Sequence, residues 1–549
     1  MKRKTVAALL TVVMCASLLA GCGSDSGSTS GNSGEKEASS GSETTTLPEA
    51  DEDGKIDGLM YAEGLPIVDE GAYEFSIMCD DSSESGEFVM LDIFKEQTNV
   101  DIDLRIFPNE TATERLNLDL NSGDYADVIG GWILSDSMIL TYGVNQGVFI
   151  PLEDYFEEYC PNISAILDLP GVREQMTAPD GHIYTIPYAC GDTSVGYSPY
   201  INGRWLENVG MEMPTTTEEF EEVLQAFKDQ DANGNGDATD EIPFSADPNN
   251  KHIEAMTGWF GLPMDKNGVG IKDEQVVYAG VSDTYREFLS WFNSLYEKGL
   301  IDLELFTQDS STWEGKGNKD LYGVSIAYGS SEFSGIAQSS EKSEFDVMPV
   351  LNTDNGGIWL RDTEGFSVYR TQAVITDNAE HPEIICRWFD NAFALENGIG
   401  CNRGPVGVIV NKEDDGYHVI DTSTLSEEDQ EKYSWSNLWP QSLPKYLPAD
   451  FEFVEENPVY DEKAAMEEIY EPNLTKSVVP TFWIDLDKID TYSDISTAIT
   501  DYFKQQQAMF VCGELDVDND SDWQSYVDGL YSLGLEDWLE IRGVETIAE

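Results

Sequence analysis

Between Tyr73 and Trp132 the chain switches repeatedly between a two-residue and a helical hydrophobic period, and that alternation limits the fold more than any other feature. Tyr73-Glu-Phe-Ser-Ile-Met-Cys79 alternates and enters the polar loop Asp80-Asp81-Ser-Ser-Glu-Ser-Gly, which leads to a predicted helix near Glu87–Gln97. Val100-Asp-Ile-Asp-Leu-Arg-Ile-Phe107 alternates again, a helix follows around Thr111–Leu120, and Ala126-Asp-Val-Ile-Gly-Gly-Trp132 is a short apolar strand opening into glycines. Strand, helix, strand, helix, strand is the signature of an open parallel sheet with helices on its faces. Ligands of such sheets sit outside the carboxyl ends of the strands, which directs attention to Asp80, Asp81 and Trp132.

Later helices are punctuated as clearly. Pro214-Thr215-Thr216-Thr217-Glu218 reads as a capped start, with Phe220, Val223, Leu224 and Phe227 on one face. Thr284 to Lys298 carries Tyr285, Phe288, Leu289, Phe292, Leu295 and Tyr296 on one side and stops at Gly299, so these aromatics are assigned to a core. The 549 residues allow two or three domains and contain no visible internal repeat.

The amino terminus speaks about location. Lys2, Arg3 and Lys4 precede an apolar run from Val6 to Leu19, and Leu19-Ala20-Gly21 puts small residues before Cys22. This spelling resembles the bacterial lipoprotein box, which implies cleavage after residue 21, acylation of Cys22 and a membrane tether made of lipid (a palmitate-type anchor). From Gly23 the chain is rich in Gly, Ser and Glu, and residues 22–70 are expected to be a flexible linker. A Gly/Ser stretch of roughly 30–40 residues spans about 30–35 Å as a random coil.

The formal charge of −73 argues against nucleic acid or anionic lipid as a partner, since both are gripped through basic residues. Cys79, Cys160, Cys190, Cys386, Cys401 and Cys512 are scattered without a Cys-x-x-Cys pair, and are read as small buried hydrophobes in preference to disulfides. With His182, His252, His381 and His418 all remote from paired cysteines, structural zinc is not expected.

The sharpest local motif is Asp229-Gln-Asp231-Ala-Asn233-Gly234-Asn235-Gly-Asp237-Ala-Thr-Asp240-Glu241. A calcium loop supplies oxygens at positions 1, 3, 5, 7, 9 and 12 with glycine at 6. Counting from Asp229 places Asp231, Asn233, Gly234, Asn235, Asp237 and Asp240 at positions 3, 5, 6, 7, 9 and 12, with Glu241 available in place of the short Asp240. Ile242-Pro-Phe244 cannot begin a second helix cleanly, so a structural calcium ion stapling a loop is expected rather than a paired sensor. A solvated Asn/Gly-rich turn is the plainer alternative.

Several phrases in order resemble the family 1 extracellular solute-binding lipoproteins of sugar ATP-binding-cassette importers. They are Leu120-Asn-Ser-Gly-Asp-Tyr-Ala-Asp-Val-Ile129, Asp180-Gly-His-Ile-Tyr-Thr-Ile-Pro187, Ile201-Asn-Gly-Arg-Trp-Leu206 with Pro214-Thr-Thr-Thr-Glu-Glu-Phe220, Leu295-Tyr-Glu-Lys-Gly-Leu-Ile-Asp302, and His381-Pro-Glu383; Trp523-Gln-Ser-Tyr-Val527 and Leu533-Gly-Leu535 fit its closing end. The resemblance implies an α/β, two-lobe periplasmic-binding-protein-like (type II) fold with crossing hinge strands and a C-terminal helical extension. Projected here, lobe 1 is 71–190 plus 346–405, and lobe 2 is 191–345, completed within 406–549. It further implies a monomer that captures an oligosaccharide outside the cell and hands it to transmembrane permease subunits, without catalysis.

Sugars offer apolar C–H faces ringed by hydroxyls, so aromatics in loops beside polar residues are the expected contacts. These are Trp132, Tyr197, Tyr200, Trp259 and Trp359, with Asp81, Glu332 and Arg361 facing hydroxyls or, for Arg361, a carboxylate; Trp435 and Trp439 are assigned to lobe 2 as further lining. Two rival readings are a secreted carbohydrate hydrolase, which needs only two spaced carboxylates, and an adhesin or co-receptor on the same fold.

Overall fold

The alternation is realised in two main sheets, each covered by helices. The computed structural model describes residues 50–548, apart from 82–85, 192–193, 248–252, 335–342, 354, 364–365, 449–450, 452 and 455–457. The leader, Cys22 and most of the linker lie outside these residues. The strands of these two sheets in chain order are β1 (Tyr73–Asp80), β2 (Val100–Phe107), β3 (Val128–Gly130), β4 (Thr185–Gly191), β5 (Ser198–Asn202), β6 (Ile242–Ala246), β7 (Tyr322–Ala327), β8 (Phe345–Val347), β9 (Phe366–Ile375) and β10 (Tyr446–Leu447). The first sheet has the order β10-β4-β9-β3-β1-β2 and the second β8-β5-β7-β6.

Strand β1 runs parallel to both β2 and β3, as the open-sheet pattern requires. Helices α1 (Val89–Thr98) and α2 (Asn109–Ser122) fill the two crossovers. Because side chains alternate across a strand, Ile77 and Cys79 enter one core of this lobe with Trp388 and Trp439, while Met78 enters another with Ile129 and Val374. Burial on both faces is what parallel strands need.

The second lobe gathers around α3 (Thr217–Asp229) and α4 (Asp283–Glu297). Thr216 caps α3 by accepting from Glu219 N–H, and Glu219 reaches back to Thr215 N–H at 2.8 Å, the reciprocal arrangement the Thr-Thr-Thr-Glu-Glu run predicts. The α4 aromatics Tyr285, Phe288 and Phe292 are buried in the core of this lobe, as expected.

The chain changes lobe between Gly191 and Ser198 and between Val347 and Phe366, and again between Leu447 and Met466 of α5 (Pro458–Tyr470) and between Tyr470 and Ile484. Helix α6 (Ile489–Val511) starts at Ile489 in a lobe 1 core, then packs Ile499, Phe503 and Phe510 into lobe 2.

Two boundaries differ from expectation. Residues 55–68 are docked rather than part of a free linker, because Ile56, Met60, Ile67 and Val68 all bury in lobe 1. The stretch through Trp439 to Leu447 also belongs to lobe 1: Trp439 stacks on Trp388 at 5.7 Å, and β10 pairs with β4. Large apolar side chains, rather than position along the chain, decide where each segment docks. The six cysteines among the described residues are free thiols, four of them buried.

Candidate functional site

Lobe 1 presents an aromatic wall at the edge from which the first two crossing segments leave. Gly131 follows β3 at φ +116°, and a Cβ there would lie 1.8 Å from Asp80 Oδ1, so only glycine lets the loop turn against that carboxyl. The turn projects Trp132, which is 52 % exposed. Its ring meets Tyr369 edge-on at 5.2 Å, and Tyr369 stacks on Tyr188 at 5.4 Å, the two tyrosines being direct partners across β9 and β4. Lys445 lies behind this group, with Nζ 5.5 Å from the Tyr188 ring and 5.6 Å from that of Trp435. Burial pushes the Lys445 ammonium down to about 8, and Nζ donates to Gln441 Oε1 at 2.5 Å.

Asp80 and Asp81, expected beside a ligand, are instead occupied with the 439–443 strap. Asp81 Oδ2 accepts from Gln441 N–H at 2.7 Å, and Ser442 Oγ donates to the Asp80 carbonyl. Both acids are buried, and burial raises the Asp80 carboxyl to about 6. The strap thus covers the carboxyl end of β1 and leaves open the side carrying Trp132, Tyr188 and Tyr369.

Lobe 2 presents a more polar wall. Tyr197 precedes β5 and Tyr328 follows β7, and their rings meet at 6.0 Å. Lys463 of α5 sits 3.5 Å from the Tyr328 ring centre, and Tyr328 N–H donates to Glu332 Oε2 at 3.2 Å. Glu332 reaches solvent yet is crowded by protein, and this crowding pushes its carboxyl up to about 7, with Lys463 opposing and Asp247 adding to the shift. Ser330 is fixed by the Glu462 carboxylate through N–H and Oγ at 3.0 and 2.6 Å.

Four expected contacts are placed elsewhere. Tyr200, Trp259 and Trp359 are buried: Tyr200 donates to the Tyr328 carbonyl, Trp259 packs on Phe220 at 5.4 Å, and Trp359 meets Tyr470 edge-on at 5.4 Å. Arg361 is a hinge clasp. Its guanidinium donates to Ser194 Oγ (2.9 Å), the Thr475 carbonyl (2.9 Å) and Glu471 (3.1 Å), so one side chain ties three crossing segments together. Asp362 adds a bond from Gly196 N–H at 2.6 Å, and Glu467 accepts from Ser194 N–H.

The 229–241 loop is built from side chains capping its own amides. Asp231 Oδ2 accepts from Gly236 N–H (3.0 Å), Asn233 Oδ1 from Asn235 N–H (2.9 Å) and Asn235 Oδ1 from Asp237 N–H (2.8 Å). Gly234 and Gly236 both have positive φ, +76° and +94°, the first being position 6 of the count from Asp229 and the second position 6 of a count from Asp231. Asp229 closes α3 and accepts from Gln225 instead, at 2.8 Å. Asp240 accepts from the amides of Asn233 and Asn235, and Glu241 Oε1 from Ala232 N–H. Asp231 Oδ1 and Glu241 Oε2 are buried with no hydrogen-bond partner, and burial raises the Glu241 carboxyl. Two orphaned carboxylate oxygens in one Asn/Asp loop fit a hard cation. Downstream comes β6 rather than a second helix, as Pro243 demands.

Sequence reasoning missed Tyr188, Tyr369, Tyr328 and Lys445. Tyr188 and Tyr369 become neighbours only through strand register, and Lys445 is an isolated base in Leu-Pro-Lys-Tyr-Leu. Two surface grooves of about 520 and 640 Å³ lie elsewhere, beside Gln97 and Lys412 and beside Arg286 and Trp291. Glu413, Asp415 and His418 cluster on an exposed hairpin.

Residues 81–398 match the family model for bacterial extracellular solute-binding proteins. The fructooligosaccharide ABC transporter substrate-binding protein FusA of Streptococcus pneumoniae is 29 % identical over 515 residues, covering 89 % of this chain and 92 % of FusA. Its complex with kestose superposes with a TM-score of 0.74 at 28 % identity, over 85 % of this chain and 98 % of that one. The alginate-binding protein AlgQ2 shares the fold, at TM-score 0.70 and 22 % identity over 88 % of this chain and 99 % of its own. No described helix is long and apolar enough to cross a membrane. With that match spanning more than half of its residues, the two-lobed chain belongs to the bacterial extracellular solute-binding protein family.

Proposed function

We propose that this protein captures an oligosaccharide between its two aromatic walls and delivers it, chemically intact, to the permease of an ATP-binding-cassette importer. The observation that carries the reading is the pairing of an aromatic wall on lobe 1 with a Tyr- and carboxylate-lined wall on lobe 2, at the edges joined by the Arg361 clasp. Flat rings suit the C–H faces of sugars, and carboxylates and amides suit their hydroxyls. Trp132 and Tyr197 from the sequence reading stay in the proposed site, and Tyr188, Tyr369 and Tyr328 join them. Asp81 and Arg361 act through the strap and the hinge. FusA's fructooligosaccharides are the first ligands to try, given its similarity along most of both chains.

Binding shifts a balance between open and closed lobes, because the ligand touches both walls at once only in the closed form. Cys22 carries the lipid anchor in this reading, and the 23–54 stretch is the leash that keeps a monomer at the outer face of the cytoplasmic membrane. Calcium fits the loop formed by Asp231, Asn233, Asn235, Asp237, Asp240 and Glu241, where it would neutralise carboxylates that otherwise repel and would supply a partner for Asp231 Oδ1 and Glu241 Oε2. A FusA variant described as an EF-hand mutant has been solved with fructo-nystose, so that relative carries a loop of this type.

The test is a thermal-shift screen of purified protein with fructooligosaccharides and other glycans, followed by chromatography of the recovered sugar and small-angle scattering at saturation. A raised Tm, unaltered sugar and a smaller radius are expected. Sugar converted into product, or an unchanged radius at saturation, would refute the reading. Chelation should lower the Tm of the free protein, since an ion present at 100 times its Kd stabilises by about 2.7 kcal/mol, and Glu241→Gln should abolish that response.

A further inference from the structure

Residues 435–443, the strap that covers the end of β1 and the turn leading into it, carry two tryptophans with opposite placements. Trp439 is buried, stacked on Trp388 and tilted against Phe94 at 5.1 Å. Trp435 is 39 % exposed. Its position is nevertheless fixed: Gln441 Nε2 donates to the Trp435 and Trp439 carbonyls at 2.8 and 2.9 Å, while Gln441 Oε1 accepts from Lys445. Met90 N–H donates to the Leu438 carbonyl, and Gln372 Nε2 to that of Ser442, at 2.9 and 2.7 Å. A large aromatic held open to solvent on a rigid, multiply anchored support is the geometry of a binding platform.

Lys445 relates this platform to the wall already described. The same ammonium lies 5.5 Å from Tyr188 and 5.6 Å from Trp435, so the two ring centres are at most about 11 Å apart. Tyr188 in turn lies 6.3 Å from Trp132. Trp132 and Trp435 therefore both lie near Tyr188, the first at 6.3 Å and the second within about 11 Å, so exposed aromatic surface continues from the wall onto the segment that leads into the strap.

We infer that Trp435 is a distal subsite that makes the cleft select longer oligosaccharides over shorter ones. The inference rests on the oligosaccharide reading above and adds to it which residue measures ligand length. Ligand rings near Trp132 and Tyr188 are held whatever the chain length, and only a longer chain reaches the strap. Gln441 acts here as a positioning residue, its amide being committed within the strap.

Calorimetric titration of native protein, Trp435→Ala, Trp435→Phe and Trp132→Ala with kestose, nystose and the five-ring homologue tests this. Native protein is expected to bind the five-ring sugar about tenfold more tightly than the three-ring one. Trp435→Ala should lose that ratio and Trp435→Phe keep most of it, while Trp132→Ala weakens all three lengths and preserves it. A native series flat with length, a Trp435→Ala ratio equal to native, or failure of Trp435→Phe to restore it overturns the subsite. Native protein that binds none of the three removes the ligand class as well, a result distinct from any of these.

Discussion

The two walls of the cleft use the same pair of residue types, tyrosine against lysine, to different ends. On lobe 1, Lys445 is 2 % exposed and holds Gln441 and the faces of Tyr188 and Trp435, amid Cys190, Cys401, Arg403 and Asp81. On lobe 2, Lys463 covers Tyr328 beside the Glu332 carboxylate and donates to the Gly196 carbonyl at 3.3 Å. The first wall is thus mainly stacking surface, and the second offers charge and hydrogen bonds. A ligand that needs both is held firmly only when the lobes close, because neither wall supplies what the other does.

The largest expected effect separates the stacking walls. Trp132→Ala should weaken oligosaccharide binding about 100-fold, and Tyr328→Ala about tenfold, in the same titration. Trp132 is 52 % exposed, so its variant should melt close to native, whereas Tyr328→Ala also removes the ring that Lys463 faces and should lose about 1 kcal/mol. Equal losses from the two variants would show that the walls share the stacking equally, and the contrast would fail.

Next in size is the cost of the buried lysine. The folded-state pKa of Lys445 is about 8, below its ordinary 10.5, so between these values the unfolded chain binds more protons. Native stability therefore carries the full penalty below pH 8 and recovers as pH rises toward 10.5. Lys445→Met should be more stable than native by about 2 kcal/mol at pH 7, with the gap closing by pH 10.5, in chemical denaturation. Lys463→Met should instead lose about 1 kcal/mol, since its cation faces a ring and a carboxylate. Matching signs for the two lysines would mean the walls are electrostatically alike.

How much of this is legible in the sequence depends on the range of the contact. The β1 to β3 run is readable because each element is set by residues a few positions apart, and Trp132 is readable because it follows a strand end. Arg361 resembles a ligand contact in the sequence because its partners Ser194, Thr475 and Glu471 stand 167, 114 and 110 residues away. No local pattern announces such a clasp. Trp259 and Tyr200 sit beside glycine or polar residues, as exposed residues often do, and only tertiary packing buries them. The cation loop is legible in composition, while Asp229, its expected first residue, is also a good last residue of a helix and closes α3. The docking of residues 55–68 escapes a sequence reading because a few apolar side chains follow a long polar leash.

The smallest effect sets the two walls against each other in pH. Glu332 has a folded-state pKa of about 7, above its ordinary 4.5, so between these values the folded chain binds more protons. Its contribution to native stability falls as pH rises through that window, opposite in slope to that of Lys445 between 8 and 10.5. Glu332→Gln should match native near pH 4.5 and exceed it above pH 7 by about 1 kcal/mol, a figure reduced for the solvent that reaches this carboxylate. Lys463 is the cation facing it and Asp247 and Glu314 the like charges, so Asp247→Asn should move the midpoint of the native curve down. Adding Lys445→Met to Glu332→Gln should remove both slopes. If the double variant keeps the fall below pH 7, a different carboxylate titrates there, and Asp80, raised to about 6 by burial on lobe 1, is the group to change next.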